Sequence, residues 1–279
     1  MGLTILTNVA ALSAQRNLSN TQTALSSTLG RLSSGMRIVS AADDAAGLGI
    51  SENLKANIRS LSQAQRNAND GISESQVAEG SMNEMQGIIS RMREIAIQSA
   101  NGTLGATERS YVQTEFVQLR AELDRISSTT EFNGQKLLDG SASTGLTMQV
   151  GIRNTTNDRL AFSITKLNSS TLGSTLKIGA ASLSTTTNAQ AAIAVFDKAI
   201  QQLSNARSKV GATQNRLIST VNNLAVTTEN LSAANSRIRD VDVATETANM
   251  SRYQILTQAG VAVMSQANQM PQAALNLLK

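Results

Sequence analysis

Residues 54–96 read LKANIRSLSQAQRNANDGISESQVAEGSMNEMQGIISRMREIA. Within them Leu54, Ile58, Leu61, Ala64, Ala68, Ile72, Ala78, Met82, Met85, Ile89, Met92 and Ala96 recur almost entirely at steps of three and four, the spacing of one helical face. Asp43 or Asp44 offers an N-terminal cap, and Asn101-Gly102 offers a stop. At ~1.5 Å per residue such a helix would be roughly 85 Å long, which is a rod. Gly47, Gly49, Gly71, Gly80 and Gly87 interrupt it. Each costs about 1 kcal/mol relative to Ala where exposed, so either close backbone packing or a local kink has to account for it.

Outward from this rod, Val112, Phe116, Leu119, Leu123 and Ile126 predict a second helix from about Thr107 to Ser127. The short Asn101 to Ala106 connection favours its packing antiparallel to the first. Phe132-Asn133-Gly134 turns the chain. Leu146, Met148, Val150 and Ile152 then alternate, as do Leu160, Phe162 and Ile164, with Asn154 to Asp158 between them, which is a β-hairpin pattern. Leu176 and Ile178 are read as a further short strand. A Ser/Thr-rich loop follows, with a cap at Thr187 or Asn188.

A third long helix runs through Phe196, Ala199, Leu203, Ala206, Val210, Leu217, Val221, Leu224, Leu231, Ala234 and Ile238, and its persistence over several heptads predicts a coiled-coil-like seam. The expected fold class is mainly α: long antiparallel helical rods with a small β-hairpin region at about 141–187.

Both ends are apolar in pattern yet nearly free of charge. Arg16 is the only charged residue from Met1 to Gly30, and there is none from Tyr253 to Leu278. Ala11, Ala14, Leu18, Thr21, Leu25, Leu29, Leu32 and Met36 form one stripe, and Ile255, Ala259, Val263, Ala267, Met270, Ala274 and Leu277 another. Since the rods go out and return, the two ends are expected side by side. Gln, Asn, Ser and Thr interrupt every apolar run, so neither end reads as the ~20 predominantly apolar residues of a membrane span. The start also lacks the basic leader and continuous apolar stretch of a secretory signal.

Composition points away from chemistry. Aromatic residues make up 2% of the 279 residues, which suits thin helical bundles better than a thick core. Cys and His are both absent, so disulfides, thiolate metal sites and the commonest general base are missing. Asp43-Asp44 and the pair Asp240, Asp242 read as a helix cap and a solvated turn rather than as acid/base groups. The sequence has no HExxH, GxSxG or P-loop pattern. No metal, nucleotide or redox cofactor is expected, and no enzyme. The pI of about 9.7 comes with a formal charge of only +4 and scattered cations, which argues against nucleic-acid binding.

Four long motifs carry a resemblance: RLSSGMRIVSAADDAAGLGIS (31–51), QRNANDGISESQVAEGSMNE (65–84), EFNGQKLLDG (131–140) and SRIRDVDVATETANMSRYQILTQAGVAVMSQANQMPQAALNLL (236–278). In this order they resemble bacterial flagellin, the flagellar filament subunit. The resemblance implies an inner coiled-coil domain made of 1–42 and 236–279, and a rod domain at 43–235 holding the three long helices and the hairpin. Outer domains, which larger members insert at about 141–187, are missing. It also implies a homopolymer outside the cell and export through the flagellar type III apparatus with a chaperone on the C-terminal region. Junction and cap proteins would be further partners.

On this reading Leu18, Leu25, Leu29, Leu32, Ile255, Ala259, Val263, Met270 and Leu277 make the subunit contacts. Arg91, Ile95 and Glu115 match the stretch by which a Toll-like innate receptor senses many flagellins. Competing readings are a hook–filament junction protein, which the C-terminal motif disfavours, and a soluble helical adaptor or an export-dependent binding effector, neither of which would form filaments. A flagellin with a built-in zinc protease is excluded in its usual form by the absence of His.

Overall fold

Helix α1 (Val9–Ser34) starts where Asn8 caps it, its side-chain oxygen accepting from the Ala11 amide at 3.0 Å, and stops where Gly35 turns left-handed at φ +70°. The computed structural model describes residues 7–173 and 175–276. Helices α2 (Ala45–Ser99), α3 (Ala106–Thr129), α4 (Thr186–Arg239) and α5 (Val243–Asn276) complete the helical framework. Asp44 is the cap of α2, accepting from the Gly47 amide at 2.8 Å. Asp43 serves the preceding turn instead. The α4 cap is Thr185, whose hydroxyl accepts from the Asn188 amide, rather than Thr187 or Asn188.

The chain divides into two compact units, Met1–Ile58 with Glu229–Lys279, and Arg59–Thr228. The sequence boundaries at 42/43 and 235/236 both fall inside the terminal unit, because α2 and α4 each contribute a stretch to it.

In the middle unit the expected stripe of α2 is the core. Ala78, Met82, Met85, Ile89, Met92 and Ala96 are buried against Val112, Phe116 and Leu123 of α3 and Phe196, Ala199, Leu203 and Val210 of α4. Phe116 and Phe196 meet edge to face with ring centroids 5.9 Å apart. A second cluster, Ala68, Val150, Leu160 and Leu217, joins the hairpin to the helices.

Strands β1 (Glu131–Phe132) and β2 (Gln135–Lys136) flank Asn133-Gly134, so the expected turn is a miniature hairpin. Strands β3 (Leu146–Gln149) and β4 (Arg159–Phe162) form the antiparallel hairpin that the alternation predicts, with Leu146 opposite Phe162, but they stop short of Val150, Ile152 and Ile164. The strand expected at Leu176 and Ile178 is not formed. Gly173, at φ +122°, makes a single bridge to Lys177, and Ile178 enters a 3₁₀ turn that buries it.

The glycines of α2 separate into two kinds. A Cβ on Gly71 would run into the Met148 thioether and lie 3.3 Å from Leu217 Cδ1, so this glycine lets the hairpin approach the helix. Gly80 and Gly87 are exposed, and a Cβ on either meets nothing within 4 Å. Gly80→Ala should therefore raise thermal stability by up to about 1 kcal/mol. The same change at Gly71 forces Met148 to move, and the ~1–3 kcal/mol cost of overpacking cancels the gain or exceeds it. Denaturant midpoints of the two variants test the contrast.

Candidate assembly surface

In the terminal unit α1 and α5 pack together, as the charge-poor ends require. The Asn8 amide group donates to the Ala267 carbonyl at 2.7 Å, pinning one end of the pair. At the other end the chain leaving α1 bridges to the segment between α4 and α5. Met36 pairs with Asp240, Arg37 N donates to the Arg239 carbonyl at 2.6 Å, and Val241 N donates to the Gly35 carbonyl at 3.1 Å. Arg239 also holds Glu52, and that guanidinium, chiefly by its hydrogen bond, lowers the Glu52 carboxyl below its ordinary range.

Arg31 closes this end. Its guanidinium lies 3.1 Å from Asp43 and 3.9 Å from the buried Glu246 of α5. Asp43 accepts from the Ser40 amide at 2.9 Å, the Ser40 hydroxyl at 3.1 Å and the Val39 amide at 3.2 Å. The Ser40 backbone bond first, and then Arg31, hold its carboxyl at about 2 against an ordinary 3.8. A depressed carboxyl contributes stability that is complete above 3.8 and is lost as the pH falls through 3.8 toward 2. In urea titrations of the terminal unit, Asp43→Asn is expected to flatten that acid dependence. An unchanged pH profile would show that the clamp contributes nothing.

The face of α5 turned toward α1 is not the stripe read from sequence. It comprises Glu246, Met250, Tyr253, Thr257, Gly260, Met264 and Ala267, all buried or half-buried. Gly260 marks the close approach, since a Cβ there would lie 3.1 Å from Leu18 Cδ1. Ile255 and Val263, at 65% and 59% exposure, point elsewhere, and Ala259 is exposed with them. Steps of four advance 400° on a helix of 3.6 residues per turn, so a run of them drifts about 40° each time. Starting at Ile255, the run reaches the buried side only at Ala267. On α1, Leu18, Leu25 and Leu32 are half-buried, while Leu29 is exposed. The Met270 side chain and Leu277 lie outside the described residues.

The result is a pair of helices with a large apolar surface that its own chain does not cover. Val9, Leu12 and Leu29 of α1 and Val243, Ile255, Leu256, Val261 and Val263 of α5 are all exposed. Beyond the exposed Arg252 no charge lies on α5 among the described residues, so from Tyr253 onward nothing on α5 holds this face in water by ionic hydration. The described helices include none long and apolar enough to cross a membrane.

The model of the bacterial flagellin N-terminal helical region matches residues 5–143, and that of the C-terminal helical region matches residues 193–278. The chain belongs to the bacterial flagellin family. It is 45% identical over 272 residues to a flagellin of Halalkalibacterium halodurans, covering 98% of both chains. It is 42% identical over 282 residues to the flagellar filament 33 kDa core protein of Treponema phagedenis, again over 98% of each. A solved structure from Vibrio parahaemolyticus, described as a flagellar hook-associated protein, aligns over 71% of this chain and 100% of its own with a TM-score of 0.59. At 15% identity that likeness shows the fold alone.

Of the expected receptor residues, Arg91 and Glu115 come together across α2 and α3, 2.8 Å apart and each about half exposed. Ile95 does not join them. It is fully buried in the core of the middle unit, because one further step of four carries it from the flagellin rod's surface into the seam beside Met92. The expectation of a contact through Ile95 is corrected accordingly.

Proposed function

We propose that this chain is a structural subunit of the bacterial flagellar filament, polymerising with copies of itself outside the cell and carrying out no catalysis. The observation that supports this most is the uncovered, charge-poor apolar face of α5 beside α1, which a second copy would bury. Membership in a family of filament proteins gives the polymer its class. The Asn, Gln, Ser and Thr of these helices can exchange hydrogen bonds between subunits without stripping water from full charges.

In this reading the terminal unit forms the inner coiled-coil domain and the middle unit the rod domain. Ile255, Ala259, Val263 and Leu29 face neighbouring copies. Leu18, Leu25 and Leu32 hold α1 against α5. Export runs through the flagellar type III apparatus with a chaperone on the C-terminal region, and junction and cap proteins engage the filament ends. Arg91 and Glu115 remain as the exposed pair for a Toll-like innate receptor.

Purified protein should form filaments visible by electron microscopy, and Val263→Asp should not. Its carboxylate costs nothing at an exposed position of the monomer but several kcal/mol once a neighbour covers it. Circular dichroism should be unchanged. Normal filaments from Val263→Asp would overturn the assignment of this face, and failure of the wild type to assemble would favour the adaptor reading.

A further inference from the structure

Two Asn-Gly pairs occur in the chain, Asn101-Gly102 between α2 and α3 and Asn133-Gly134 between β1 and β2. Asn-Gly is the dipeptide in which the following backbone nitrogen most easily attacks the Asn side chain, because glycine adds no steric block. The two are held very differently. We propose that Asn101 is a site of spontaneous deamidation in the folded protein and that Asn133 is protected from it.

Three features converge on Asn101. Residues 101–103 are exposed and a Cβ on Gly102 would meet nothing within 4 Å, so no neighbour crowds the reacting dipeptide, a condition that Asn133-Gly134 shares. The Thr103 amide donates to Asn101 Oδ1 at 3.2 Å, polarising the carbonyl that must be attacked. The Arg109 guanidinium, in no ion pair among the described residues, donates from Nη2 to the Asn101 backbone carbonyl at 2.9 Å and from Nε to that of Ser99 at 3.0 Å. A fixed positive charge on that peptide carbonyl favours loss of the Gly102 amide proton, while the oxyanion of the attack develops on Oδ1, where the Thr103 amide donates.

Hydroxide removes the Gly102 amide proton, and the nitrogen then bonds to Asn101 Cγ. The C–Nδ2 bond breaks, and Nδ2 leaves as ammonia with a proton from water. Water opens the resulting five-membered imide at either carbonyl, giving aspartate or isoaspartate. The product carboxylate lies just beyond the C-terminus of α2, where the helix dipole disfavours it, but Arg109 is at hand as its counter-charge. Asn133, by contrast, sits at φ +49° with Gly134 at φ +79°, and pairing of Glu131 with Lys136 and of Phe132 with Gln135 fixes that backbone on both sides.

The test ages the full chain in mildly alkaline buffer and follows both peptides by mass spectrometry, each serving as the other's control. Asn101 should convert about tenfold faster than Asn133, the effect of one favourable electrostatic contact on a barrier. In concentrated urea the two rates should become similar. Arg109→Gln should slow only Asn101, and Gly102→Ala should nearly stop it. Equal rates in the folded chain would overturn the proposal, as would a difference that persists in urea, which would trace it to flanking sequence.

Discussion

Removing residues 1–40 and 240–279 together is expected to abolish polymerisation while leaving Arg59–Thr228 folded. Every member of the main core cluster lies between Ala78 and Val210, and the second cluster uses Ala68, Val150, Leu160 and Leu217. The truncation therefore takes no side chain from either cluster. What it takes is α1, the Arg31–Asp43 clamp and α5 with its uncovered apolar face. Circular dichroism should report a helical, cooperatively melting protein, and sedimentation should report a species that stays small at concentrations where the full chain forms filaments. Long filaments from the truncated chain would show that the terminal helices are not the polymer's core.

Phe196→Ala should be the most damaging single substitution in the middle unit. Phe196 is fully buried, stacks edge to face on Phe116 and belongs to a chain with only four Phe and no Trp. The buried Leu, Ile, Met and Ala around it belong to long helices that relax only partly into such a gap. A loss of about 3–5 kcal/mol is expected. For a unit of this size that corresponds to a fall in melting temperature on the order of 10 °C. Val210→Ala at the edge of the same cluster should cost less. Similar losses at the two positions, measured by calorimetry, would mean that the aromatic pair does not organise this core.

The rods were legible because their faces are long. A stripe sustained from Leu54 to Ala96, or from Phe196 to Leu224, leaves only one helix face to bury, and the structure buries it. The β3–β4 hairpin was legible for the analogous reason, since alternation of period two admits one buried side at Leu160 and Phe162, while its register came from the structure. Leu176 and Ile178 were too few to decide. A loop held by Gly173 at positive φ buries Ile178 without any strand.

By itself the sequence determined the helix faces, the absence of His and Cys chemistry, and the need of both ends for a partner. Periodicity and charge are properties of a single helix and require no knowledge of its neighbours. Which neighbour covers which part of a face was decided only by tertiary structure. Tyr253, Thr257 and Gly260, not Ile255 and Val263, meet α1, and Ile95 lies inside the core while Arg91 stays outside. The reason is geometric. Each step of four turns a side chain about 40° around the helix, so positions that share a stripe in sequence end on different sides of a packed seam once a second helix fixes where that seam runs.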